Sequence, residues 1–188
     1  MKKLLMSVTA VAMLAGPALA LDVSEEPHAG YKEIGSHKDW VAVHTPGRAE
    51  DEGRICAVYS RPTQSAVYDG DKKIDAMRGE LAVFLNWNAQ TPSKSSGEVS
   101  FLIGERVVEG IVEGGHALTI DGKTSVTLAG VADRLYVQPK DDAKVLAALR
   151  GGSTAVISAE LENGTAIKDS YSLMGLTRTT GLAQSGCK

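Results

Sequence analysis

The chain has 188 residues, with 20 Lys+Arg against 23 Asp+Glu and a formal net charge of −3 at pH 7. This weakly acidic balance argues against nucleic acid or anionic lipid as the main partner, since both recruit clustered cations. The length suits one domain that buries its own core without a metal or a dense disulfide framework.

Residues 1–20 have the pattern of an export leader. Lys2 and Lys3 supply the positive start, the apolar stretch 4–16 follows, and Ala18-Leu19-Ala20 is a small-x-small cleavage pattern. The apolar run is too short for a membrane-spanning helix, which needs about 20 residues. Cleavage after Ala20 leaves a mature chain starting at Leu21, with no cysteine there to carry a lipid anchor and a net charge moved from −3 to −5 by the loss of two lysines. The expectation is a periplasmic protein without a transmembrane helix, with secretion or outer-membrane association as the alternatives.

Residues 21–36 are polar and aperiodic, with Glu25, Glu26, Pro27 and Gly30, and read as a flexible arm ahead of one domain over 37–188. Short β-type segments then dominate. Trp40-Val41-Ala42-Val43-His44 predicts a strand ended by Pro46-Gly47, and Ile55-Cys56-Ala57-Val58-Tyr59 another ended by Arg61-Pro62. A polar stretch containing Asp69-Gly70 precedes Leu81-Ala82-Val83-Phe84-Leu85-Asn86-Trp87, the strongest buried-strand pattern in the chain; 91–97 is a loop.

In 98–103, Val99, Phe101 and Ile103 alternate with Glu98 and Ser100, the period of a half-buried strand. Val107-Val108 and Ile111-Val112 follow among Glu105, Glu109 and Glu113. Segments 117–120 and 125–128 predict a hairpin with a two-residue Asp121-Gly122 turn, and 134–137 a further strand.

One helix is predicted over 141–150. Asp141 or Asp142 caps it, Val145, Leu146, Ala148 and Leu149 form its apolar face, and Gly151-Gly152 stops it. Segments 154–160 and 166–172 predict a second hairpin around Asn163-Gly164, and 173–188 reads as irregular. About eight strands at close spacing predict an all-β, antiparallel β-sandwich.

Candidate reactive groups are few. The two cysteines, Cys56 and Cys187, form an even pair, which in an oxidising compartment reads as one disulfide. Such a bridge closes a loop of about 130 residues, worth up to about 5 kcal/mol in the chain-entropy model. The alternative, a catalytic thiol, needs a base or partner dithiol, and there is no C-x-x-C. His28, His37, His44 and His116 show no metal-ligand spacing, so neither a metal nor another cofactor is expected. His116, near Glu113, is a candidate general base, with the first position of a strand after Gly114-Gly115 as the simpler role.

There is no nucleophile elbow or phosphate-binding loop. Glu105, Glu109 and Glu113 read as solvent-facing charges, although carboxylates can meet in space for glycosidic chemistry. Asn163-Gly164-Thr165 reads as a turn rather than a glycosylation site. Trp40 and Trp87 read as core anchors among only nine aromatic residues, with the lining of a binding groove as the alternative. In 169–173 the reading sends Tyr171 and Leu173 inward and leaves Asp169 outside, with the Tyr171 hydroxyl bonded to backbone.

Several runs together carry a resemblance. They are Lys38-Asp39-Trp40, Cys56 with Ser60-Arg61-Pro62, Gly97-Glu98-Val99-Ser100-Phe101 with Ile103-Gly104, and Ile120-Asp121-Gly122. Further along come 145–152, Asn163-Gly164-Thr165, the run Asp169-Ser170-Tyr171-Ser172-Leu173-Met174-Gly175-Leu176-Thr177, and Cys187. The chain resembles the invasion-associated locus B family of exported bacterial proteins from about residue 38 onward. That resemblance implies an immunoglobulin-like β-sandwich in the cell envelope and, for some pathogenic members, a link to host-cell entry. The chain departs from it in lacking a mid-domain cysteine pair and in having Leu176 where members often have Phe. The leading expectation is a non-enzymatic domain that binds a protein or an envelope component. The alternatives are an envelope hydrolase with spatially assembled carboxylates and a small-molecule carrier.

Overall fold

A computed structural model describes residues 31–44, 55–88 and 98–186. The expected leader, residues 21–30, the turn expected at Pro46-Gly47, the loop expected over 91–97 and Cys187 lie outside the described residues.

Among the described residues, twelve antiparallel strands form one hydrogen-bonded ladder. In chain order they are β1 (Lys32–His37), β2 (Trp40–His44), β3 (Ile55–Ser60), β4 (Gln64–Asp69), β5 (Lys72–Ile74), β6 (Ala82–Asn88) and β7 (Glu98–Leu102). Then follow β8 (Ala117–Ile120), β9 (Thr124–Val131), β10 (Arg134–Val137), helix α1 (Asp142–Gly151), β11 (Thr154–Glu160), β12 (Ala166–Ser172) and helix α2 (Leu176–Gly186). The spatial order is β1-β2-β3-β6-β7-β10-β9-β8-β11-β12-β4-β5. The mainly β class and the helix near 141–150 are therefore as expected, with more strands than predicted.

The ladder changes sides at β9. Its residues 124–127 pair with β8, while 128–131 pair with β10. The two halves meet through their inner faces: the rings of Phe101 on β7 and Tyr171 on β12 lie 5.7 Å apart, and both residues are fully buried. Alternation along β11 and β12 places Ala155, Ile157, Ala159, Ile167 and Tyr171 in the same core as Val99, Phe101, Leu118, Leu128 and Leu135.

Several local expectations need correction. The flexible arm expected over 21–36 does not include residues 32–36, because β1 begins at Lys32 and pairs with β2 through a bulge at Glu33/Gly35. The polar stretch 64–74 is the β4–β5 hairpin, whose side chains are mostly exposed and so lack an apolar signal. Segment 107–112 contributes only isolated bridges, Val107 with Leu161 and Gly110 with Gly130. Strand β7 is buried on both faces: Ser100 is 1 % exposed because a second cluster of Ala82, Phe84 and Leu102, flanked by Tyr59, covers the outer side.

The β8–β9 loop has three residues, since Ile120 pairs with Thr124; Asp121 and Gly122 both take positive φ. Asp141 precedes α1 but makes no side-chain cap bond. Gly152 ends α1 in extended conformation, so its need for glycine is spatial: a Cβ there would meet the Ala148 carbonyl and the Ile120 side chain, both at 2.9 Å.

The C-terminal stretch expected to be irregular forms α2 over 176–186. Leu176, Thr179, Thr180 and Ala183 recur at helical spacing and are buried where α2 packs on β1, β2 and β3. Gly175 approaches the His37 carbonyl too closely to admit a Cβ and has φ +100°, which sets the turn into α2.

Candidate functional site

The most concentrated buried chemistry surrounds β12. Period-two alternation puts Ile167, Asp169 and Tyr171 on one face, so Asp169 points inward with no exposed surface, correcting the expectation that it stays outside. Its partner is Arg78, on the segment 75–81 between β5 and β6. Arg78 Nη2 donates to Asp169 Oδ1 at 2.6 Å and Oδ2 at 2.7 Å, and to Ser65 Oγ at 2.9 Å.

The neighbouring Gly79 fixes this segment. Its N–H donates to the Gly104 carbonyl at 3.1 Å, and Gly104 (φ +70°) lies so close that a Cβ would fall 2.6 Å from the Gly79 nitrogen. Segment 75–81 is thus held from two sides, with Arg78 turned inward and Met77 almost fully exposed.

Tyr171 is buried two residues along from Asp169. Burial first, then the Asp169 charge, pushes its phenol far above the usual range, while Arg78 acts in the opposite direction. The expected backbone partner for its hydroxyl is not made. This arrangement holds a charge pair in place and keeps the phenol protonated.

His116 is also fully buried, at the residue preceding β8. The Glu160 backbone N–H donates to Nδ1 at 3.3 Å, so Nδ1 accepts; Nε2 is then the protonated nitrogen, donating to the Val108 carbonyl at 2.8 Å. Nδ1 ties the residue to β11, and Nε2 closes segment 108–116 back on its own start. Gly130 is required beside it, because a Cβ would stand 2.9 Å from Nε2 and 2.7 Å from the Val108 carbonyl.

An open cleft of ≈ 290 Å³ lies where three turns converge, lined by Gly70, Gly114, Gly115, Glu160, Gly164 and Thr165 among others. Gly70, Gly114 and Gly164 all have positive φ. Among the described residues Glu160 is the one carboxylate in its lining, whereas acid/base glycosidic chemistry requires two. Asn163 is engaged at the rim: its Oδ1 accepts from the Thr165 N–H at 3.0 Å and from the Thr165 hydroxyl at 2.7 Å, the turn role expected of it.

The other singled-out residues are dispersed. Glu109 and Glu113 are exposed, and Arg106 bonds Glu109 at 3.3 Å and Glu162 at 3.1 Å. Trp40 is a core anchor with no exposed surface, and Trp87 is 9 % exposed. Cys56 is buried in the core; Cys187 lies outside the described residues. Helix α2 packs on the half of the ladder that contains Cys56, and a Cβ on its last residue, Gly186, would overlap the Ile34 side chain of β1.

Sequence reasoning missed Arg78. Its only signal would have been the inward parity of Asp169, which demands a cation but does not say which one. Among the described residues no group of three or more His, Cys, Asp or Glu side chains is placed to hold a metal ion, and no helix is long and apolar enough to cross a membrane. No family model, curated protein or solved structure matches the chain.

Proposed function

We propose that this chain is an exported, non-enzymatic β-domain of the bacterial envelope that binds a protein or an envelope component. The carrying observation is the engagement of His116, whose two ring nitrogens are both committed to backbone groups in the core. The buried Asp169 is likewise committed to Arg78. The side chains best suited to acid/base work therefore act as structural ties.

The leader pattern of residues 1–20 supports export, and the resemblance to the invasion-associated locus B family supports an envelope role. An immunoglobulin-like sandwich belongs to the same reading; the Phe101–Tyr171 contact and the Trp40–Ser172 bond across the core support it. The proposal includes a disulfide between Cys56 and Cys187, supported by the packing of α2 against β3.

Expression of the full chain in a Gram-negative host, followed by fractionation and N-terminal sequencing, tests the address. The expected result is a periplasmic product beginning at Leu21. Crosslinking of that product in intact cells should yield one reproducible partner. An uncleaved cytoplasmic chain, or a periplasmic product with no reproducible crosslink, would overturn the address or the binding role respectively.

A further inference from the structure

The cleft of ≈ 290 Å³ opens on the outer face of β11 and β12. Strand parity sets its floor. Ser158 and Glu160 are exposed positions of β11, alternating with buried Ile157 and Ala159, and Ala166 faces Glu160 across the strand pair. The backbone of Glu160 is held from two sides: its N–H donates to His116 Nδ1 at 3.3 Å, and its carbonyl accepts from the Val108 N–H at 3.2 Å. Its carboxylate stands beside Gly115, where a Cβ would come within 3.2 Å of Oε2 and 2.7 Å of Val112 Cγ1. Gly115 has no positive φ, so what glycine supplies there is room.

We propose that this cleft binds a small ligand bearing a primary ammonium group, which meets the Glu160 carboxylate while its carbon frame lies over Ser158 and Ala166. The inference rests on the reading of the chain as a binder of an envelope component, and it names the chemistry that component presents. The lining selects that chemistry. Among the described residues no Lys or Arg lines the cleft, and no ion pair engages Glu160. Lys168 faces Ser158 across the strand pair but stays outside the lining. Thr165 gives its hydroxyl proton to Asn163 Oδ1 at 2.7 Å, so its oxygen is left to accept, and Ser158 adds a second hydroxyl oxygen. An ammonium group, with three donors and no acceptor, complements such a set. An anion would be repelled by Glu160. A calcium ion takes about six to eight oxygen ligands, more than one carboxylate and two hydroxyls supply. The volume lies at the lower end of the range for ligand pockets, about 300–1,000 Å³, and suits an amino sugar or a short linear amine.

The test is an NMR titration of the purified, exported protein with glucosamine and with cadaverine at millimolar concentrations, glucose serving as the uncharged control. At least one amine should shift the amide signals of Gly115, Glu160 and Thr165 saturably, with glucose silent. A response to glucosamine alone identifies an amino sugar, to cadaverine alone a linear amine, and to both the ammonium group itself. Glu160→Gln keeps the side-chain shape and the backbone bonds, and should weaken amine binding about fivefold to tenfold. Signals unmoved by either amine, a response to glucose equal to that for glucosamine, or a Gln variant that binds as tightly as wild type overturns the proposal. A failed titration beside a reproducible crosslink removes the cleft and leaves the envelope reading standing. A failed crosslink beside saturable amine binding does the reverse.

Discussion

The indole Nε1 of Trp40 donates to the carbonyl oxygen of Ser172 at 3.0 Å, joining β2 to the end of β12 across 132 positions of sequence. Both the ring and the bond lie in the region where the two halves of the ladder meet. Trp40→Phe keeps an aromatic ring but loses the donor and leaves a gap in the core. It should destabilise the fold by about 2 kcal/mol, measured by urea denaturation.

The Arg78–Asp169 pair should respond unequally to single and double replacement. Asp169→Ala strands a buried guanidinium and should cost about 3–5 kcal/mol. Replacing both partners with apolar residues, Arg78→Met with Asp169→Leu, removes the charge that must be matched and should cost much less. A double-variant loss equal to the sum of the Arg78→Met and Asp169→Leu losses would show that the pair is not coupled as its geometry indicates.

Asp121 gives the fold a pH-dependent component. Its carboxylate accepts from the Thr154 N–H at 2.9 Å and from the Ser153 N–H at 3.0 Å; these bonds hold its pKa below the usual carboxylate value. A depressed folded-state pKa means the contribution is complete above the unfolded pKa, about 4, and is lost as pH falls through the lower folded value. Asp121→Asn should therefore be less stable than wild type at pH 6, with the difference shrinking below about pH 4. Denaturation midpoints across that range check the sign.

Ala132 carries strain that glycine would relieve. It sits in the two-residue β9–β10 turn with φ 52°, a left-handed conformation that costs a residue with a Cβ about 1–2 kcal/mol. Ala132→Gly should raise stability by about 0.5–1 kcal/mol after the greater chain entropy of glycine is counted. Thermal denaturation reads the gain directly.

The proposed disulfide predicts that the exported chain is two hydrogens lighter under non-reducing conditions than after reduction. Cys187→Ser is the more informative variant, since Cys56 lies in the core and its replacement would also place a hydroxyl there. Loss of the bridge should lower the thermal midpoint, with the chain-entropy value of about 5 kcal/mol as the ceiling.

Much of the ladder was legible because its central strands alternate cleanly. The bounds predicted for β8, β10, β11 and β12 coincide with those found, and the helix before β11 was visible from Val145, Leu146 and Leu149. Strands β4 and β5 lie at the end of the ladder and bury little, so hydrophobic patterning had nothing to report. Helix α2 was hidden by Gly181 and three threonines, weak helix formers held in place by packing against β1, β2 and β3. Asp169 illustrates a different difficulty. Its parity with Tyr171 already placed it inside, but polarity suggested the surface, and the cation that reconciles the two lies 91 positions away.

Strand β9 makes the two halves of the molecule answerable to one register. A single residue inserted or deleted within 124–131 would turn side chains that face the core toward the opposite side along the shifted strand. Because its first four residues bond β8 and its last four bond β10, the error would reach both neighbours at once. Detaching β9 would likewise bare an edge of β8 and an edge of β10 together, giving each half an unpaired margin open to another chain.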